Sequence, residues 1–156
     1  MIKMINETMH QLDVVVETIL KLMEKLDETH AETRPTSGKF SIGELCAHLS
    51  LIPEADWRIA NEASEEEMAL FYEKASPQTI KEAHHTLQCS FEYLKKDIAS
   101  LLVEEWAQET TSFWGVTYTK FSWLLEILTH LHHHRGQLHA LMVHVLAIDP
   151  EIPMFE

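Results

Sequence analysis

Residues 2–26, IKMINETMHQLDVVVETILKLMEKL, place Ile5, Met9, Leu12, Val16, Ile19, Met23 and Leu26 at alternating steps of four and three. That spacing puts an apolar stripe along one side of a helix and marks it for the seam of a bundle. The first helix is expected to run from Ile2 to about Thr29. Residues 30–39, with Pro35, Ser37 and Gly38, read as a loop. Ser41-Ile42-Gly43-Glu44 then has the capping-box pattern, a hydroxyl and a carboxylate three residues apart that satisfy each other's backbone amides. The second helix starts there, with Leu45, His48, Leu49 and Ile52 on one face. Pro53 lacks an amide hydrogen, so a kink is expected, with helix continuing towards Asn61.

Residues 62–75 are acidic, and Met68, Phe71 and Tyr72 fit either a short helical turn or a packed loop. Ser76-Pro77 predicts the next helix start, serine as cap and proline in the first turn. Ile80, Ala83, Leu87, Phe91, Leu94, Ile98 and Leu101 continue as its stripe. The pattern breaks from Glu104 to Tyr118, where Trp106, Phe113 and Trp114 suggest a long connection whose aromatic side chains could cover one mouth of the bundle. Thr119 caps the last helix, expected to reach about Ala147, with Leu124, Leu128, Leu131, Leu138, Met142 and Val145 inward. Four long helices make the chain all-α, a four-helix bundle. No repeat or composition break divides residues 1–156, so a single domain is expected. The pattern leaves simple up-down and crossover connectivity both open.

Composition narrows the function. Twelve basic residues against 25 acidic ones give a formal charge of −13. That field repels phosphates, which argues against nucleic acid and anionic membranes as partners. No apolar run approaches the ~20 residues of a membrane span, and the N-terminus lacks a signal-peptide core, so a cytoplasmic location is expected. Cys46 and Cys89 match no metal or redox spacing and are read as buried free thiols.

Histidine is the unusual residue: the chain has 11, and six of them lie between positions 130 and 144. His130 and His134 are four apart, stacked on one helix face, where two imidazoles can chelate one ion. His132 and His133 point roughly 200° and 300° away from His130, so His132 is read as a surface residue and His133 as bordering the seam without ligating. A third ligand must come from another helix. His48 sits among Leu45, Leu49 and Ile52, where an imidazole must be hydrogen-bonded, coordinated or held neutral. His10, His30, His84, His85, His139 and His144 have no such arrangement. The HExxH pattern of zinc proteases is absent.

Phe40-Ser41-Ile42-Gly43-Glu44-Leu45-Cys46-Ala47-His48-Leu49 and His130-Leu131-His132-His133-His134-Arg135-Gly136-Gln137-Leu138 together resemble the DinB/YfiT-like family of metal-binding four-helix bundles. The resemblance spans essentially the whole chain. It implies one divalent ion, zinc, nickel or another transition metal, held by His48, His130 and His134 with the remaining positions open to water. It also implies a possible transferase of a small thiol, such as bacillithiol or mycothiol, a link to stress response, and a homodimer.

Three neutral imidazoles leave an ion its full charge, and an ion so held deprotonates a coordinated thiol. Together with the resemblance, this makes a metal-dependent thiol transferase the leading expectation. The alternatives are a metal-binding stress protein without turnover and a metal-dependent hydrolase. An ion open to a cleft would favour catalysis, and one sealed by Trp106 to Trp114 would favour structure. Gln137 is expected beside the site or in the core, Arg135 against a carboxylate at the bundle end, and Gly136 where two helices approach closely.

Overall fold

A computed structural model describes residues 2–156. It contains five helices, α1 (Ile2–Glu24), α2 (Ile42–Ala60), α3 (Glu65–Ala75), α4 (Ile80–Ser100) and α5 (Lys120–His144), and a small hairpin of β1 (Glu109–Thr111) and β2 (Thr117–Thr119). The four long helices form the bundle. Most of the expected stripes form its core: Leu12, Ile19, Leu45, Leu49, Leu87, Leu94, Leu124, Leu131 and Leu138 are all fully or almost fully buried, whereas Val145, expected inward, lies just past the end of α5 and is exposed.

Named contacts settle the directions. Glu54 meets Ser90 and Trp57 meets Asp97, so α2 and α4 run parallel. Glu24 faces His84 while Ile5 and Met9 border Ile98, so α1 runs antiparallel to α4. His48 meets His134, Asp56 meets His130 and Asn61 meets Lys120, so α2 and α5 are antiparallel. The order is up-down-down-up. Two consecutive parallel helices need a return path, and α3 provides it. Residues 62–75 are thus more than a turn or loop: Ser64 and Glu67 form a second capping box and start a three-turn helix.

The Ser76-Pro77 start is not used. Ser76 ends α3, and Thr79 caps α4 by accepting from the amide of Glu82 at 3.0 Å. Glu28, on the α1–α2 connection, accepts from the amides of Ile80 and Lys81, both at 3.2 Å, which satisfies two more donors at a positive helix end. The break from 104 to 118 contains a 3-10 turn and the β1–β2 hairpin. Gly115, at φ +93°, turns the hairpin tip in a conformation that L side chains disfavour.

Other details correct the expectation. Cys46 is buried, but Cys89 is exposed. Beyond its own helix backbone, none of the described residues comes within 4 Å of the place a Cβ of Gly136 would occupy, so no other helix approaches it. Among the described residues Arg135 meets no carboxylate. It is buried against α1, donating to Thr18 Oγ1 at 2.8 Å and to the Met154 carbonyl at 2.7 Å, with Phe155 stacked 4.9 Å from its guanidinium. It ties the C-terminal segment onto the bundle.

Candidate metal centre

α2 begins at a firmly fixed point. Ser41 Oγ accepts from the amide of Glu44 at 3.2 Å, and the Ser41 amide donates to Glu44 Oε2 at 2.8 Å. Arg34 adds a two-pronged ion pair to Glu44, at 2.8 and 2.7 Å, and also donates to the Lys39 carbonyl. The Arg34 guanidinium and the Ser41 amide pull the Glu44 carboxyl down to about 2. This clasp fixes the loop before α2 and with it Phe40 and His48. Further along, Pro53 deprives α2 of one internal hydrogen bond without ending it. Ser90 Oγ of α4 accepts from the amide of Glu54 at 2.9 Å and holds the helix together past the proline. The last two turns carry Asp56 to α5.

The structure brings His48, His130 and His134 together. His48 Nε2 lies 3.1 Å from His134 Nε2 and 3.3 Å from His130 Nε2. All three can offer nitrogens within 4.8 Å of one another, and all three side chains are half-buried. The outward nitrogens are engaged. His130 Nδ1 is 2.7 Å from Asp56 Oδ2, and His134 Nδ1 is 2.7 Å from Gln137 Oε1. Gln137 Nε2 in turn is 3.1 Å from His133 Nε2, which orients its amide with the oxygen towards His134.

These partners decide the tautomers. A carboxylate oxygen and an amide oxygen only accept, so His130 and His134 carry their protons on Nδ1 and turn lone pairs inward. His48 has one Nε2 to set between two lone pairs. A single N–H can satisfy one of them, and the other contact stays repulsive. A cation at the centre satisfies all three nitrogens at once. The spacing agrees: tetrahedral ligation at Zn–N ~2.0–2.1 Å separates ligand nitrogens by about 3.3 Å. The donor set and its outer partners therefore fit a divalent transition ion, with Asp56 and Gln137 in the orienting role that carboxylates and amides take behind metal-bound imidazoles.

Electrostatics favour neutral imidazoles at two of the three positions. Burial first, then the neighbouring His134 and His130, push the His48 imidazole down to about 4. Burial also lowers His134, against the opposing pull of Gln137. Both are thus kept neutral, as a metal ligand must be. His130 moves up, chiefly through its hydrogen bond to Asp56. Glu126, one turn before His130, is raised by burial and by the charge of Asp56.

Two cavities meet the histidines from different sides. The larger, about 500 Å³, touches His134 and Gln137 and is walled by Phe40, Leu45 and Leu141, with Lys39 at its rim. The other, about 190 Å³, touches His130 and is lined by Asp56, Ile59, Trp114, Trp123 and Glu126. Another concavity, about 740 Å³ around Arg58 and α3, does not touch the imidazoles. The aromatic segment does not seal the site. Trp106 is buried against Trp57, 6.3 Å between ring centres, whereas Trp114 is half-exposed at the hairpin tip.

The other histidines stay apart from the centre. His132 is not a free surface residue: its ring stacks on Phe155 at 6.1 Å, and its Nδ1 reaches the Leu128 carbonyl at 2.9 Å. His133 is exposed and enters only through Gln137. His10 pairs with Glu156, His30 caps the turn at Asp27, His84 faces Glu24 and His85 lies 3.6 Å from the Cys89 sulfur. Asp56 is the site residue that sequence reasoning missed. It lies eight residues after His48, about two helical turns, and that spacing was the available signal.

The fold is a four-helix bundle carrying a tri-histidine cluster that could hold a metal ion, and the comparisons place that bundle in a known class. The family model of the DinB superfamily matches residues 11–138. A crystal structure of a protein assigned to the DinB family from Exiguobacterium sibiricum is 33% identical, covers 96% of each chain and superposes with a TM-score of 0.84. DinB-like proteins of Bacillus cereus and Bacillus subtilis share the fold at TM-scores of 0.72 and 0.68, with 15% and 18% identity; they cover 88% and 90% of this chain and 90% and 95% of their own. No curated protein matches the chain. The chain belongs to the DinB superfamily.

Proposed function

We propose that His48, His130 and His134 hold one divalent transition ion, zinc or nickel, and that the protein is a metal-dependent transferase of a small thiol, acting in stress response in the cytoplasm as a homodimer. The observation that carries the proposal is the convergence of three Nε2 atoms beside an open, largely apolar cavity. When bound, such an ion supplies a Lewis acid that makes a thiol acidic enough to be a thiolate, the competent nucleophile, at neutral pH.

The chain's own residues do the rest. Asp56 and Gln137 hold the Nδ1 protons of His130 and His134 and so keep both Nε2 lone pairs aimed at the centre. Phe40, whose ring centre lies 5.3 Å from that of His48 and 6.5 Å from that of His134, flanks the two imidazoles on that side. Phe40, Leu45 and Leu141 give an apolar electrophile a surface to rest on while it meets the thiol.

The test is thiol conjugation by zinc- or nickel-loaded protein over a broad panel of electrophiles. Acceleration with at least one class, lost in His48→Ala, is the expected outcome. Metal binding without acceleration of any electrophile would leave a stress protein that binds metal without turnover. A second reading, hydrolysis, is favoured by Asp56 and Glu126 beside His130, carboxylates able to accept a proton from water. Ester and amide substrates in the same panel separate the two.

A further inference from the structure

The two cavities beside the histidines differ in charge. The one at His134 is walled by apolar side chains with a lysine at the rim. The one at His130 has two carboxylates, Asp56 and Glu126, and two indoles, Trp114 and Trp123. We propose that this second cavity is a subsite for a small organic cation, an alkylammonium or guanidinium group borne by one of the two reactants. The assignment of that group to a reactant rests on the transferase reading; the recognition of the cation does not.

The observations are independent of one another. Neither carboxylate is ion-paired to a lysine or arginine among the described residues: Asp56 is linked only to His130, and Glu126 has no ion-pair partner. Asp56 commits Oδ2 to the imidazole, so Glu126 supplies the charge left over for a ligand. Trp123 is fixed, buried with Nε1 3.4 Å from the Thr110 carbonyl and its ring 4.9 Å from that of Tyr118 in edge contact. Trp114 stands at the hairpin tip, 53% exposed and braced edge-on by Phe113 at 4.7 Å. A large exposed indole has no packing reason to be there. It lines the same hollow as the two carboxylates, and an indole face beside carboxylates attracts a cation.

Size decides what enters. Whole-ligand sites enclose roughly 300–1,000 Å³. About 190 Å³ is too small for that and suits one charged group of a few heavy atoms, the rest of the molecule extending towards the imidazoles. Charge decides the side. The formal charge of −13 favours approach of cations in general, and Lys39 disfavours them at the other cavity.

The test uses zinc-loaded full-length protein and ethylammonium chloride, with sodium chloride at equal ionic strength as the reference. Indole N–H signals of the tryptophans are followed by NMR. The subsite predicts saturable shifts of Trp114 and Trp123 alone, and affinity roughly tenfold weaker in Glu126→Gln and in Trp114→Ala. Both changes lie at exposed or half-exposed positions, and the remaining signals report whether the bundle is intact. Shifts no larger than with sodium chloride, or equal affinity in Glu126→Gln, overturn the proposal. A second arm compares cysteamine with 2-mercaptoethanol in the conjugation assay. Ethylammonium binding with neither thiol consumed keeps the subsite and rejects the transferase. Equal use of both thiols without ethylammonium binding rejects the subsite and keeps the transferase.

Discussion

The seam between α1 and α4 and the seam between α2 and α5 belong to one bundle and follow opposite rules. Along the first, Ile5, Leu12, Val15, Ile19 and Leu22 of α1 and Leu87, Phe91, Leu94 and Ile98 of α4 are buried in one core, and among the described residues neither helix buries a titratable group there. Along the second, Leu45, Leu49, Ile127 and Leu131 flank three half-buried imidazoles, each forgoing water. A continuous aliphatic seam would bury more apolar surface. The interruption makes sense as a binding site: the first seam is spent on apolar burial alone, and the second gives some burial up to aim three lone pairs at one point.

Substitutions can test this division, beginning with the largest effect. Leu12→Ala removes a fully buried side chain and should cost about 2–5 kcal/mol in denaturant unfolding, while leaving metal stoichiometry at the centre unchanged. Loss of metal in a folded Leu12→Ala protein would mean that the seams are not separable. Asp56→Asn should do the reverse. It frees the His130 ring to reorient, and metal affinity should fall roughly 10–100-fold with little change in the stability of the metal-free protein.

Acid adds a third contrast. The His48 imidazole lies near 4 in the folded chain and near 6.5 unfolded, so the unfolded state binds the extra proton between those values. The metal-free protein should therefore lose stability as pH falls from about 6.5 to about 4, and His48→Ala should flatten that loss. An unchanged pH slope in the variant would remove His48 from the account. The smallest effect belongs to neither seam. Gly136 is exposed in mid-helix with open space at its Cβ position, so Gly136→Ala should stabilise the protein by about 1 kcal/mol, read as a rise in thermal midpoint.

Much of this was legible in the residues because local chemistry dictated it. The Ser41–Glu44 box and the Thr119 cap need only side chains within one turn of their own backbone. His130 and His134 follow from helix pitch, and His48 from being a histidine on an apolar face. What could not be read depended on distant partners. Ser76-Pro77 has a good local start pattern, but Thr79 is the cap, and Glu28, some fifty residues upstream in the chain, completes the helix end. Arg135 looked like an end-of-bundle charge, yet its partners are Thr18 and the Met154 carbonyl, at opposite ends of the sequence. Asp56 is one of 25 acidic residues, and its eight-residue spacing from His48 singles it out only because α2 continues as helix past Pro53. Gly136 suggested a close helix contact, but the open space around it shows that glycine in a helix need not mean packing.

The central claim, a metal held by His48, His130 and His134, is tested most directly by elemental analysis of untagged protein beside His48→Ala and the double variant His130→Ala/His134→Ala. Close to one equivalent of zinc or nickel in the parent and loss in both variants is the predicted result. A parent that takes up no metal after loading, or variants that keep it, would contradict the account.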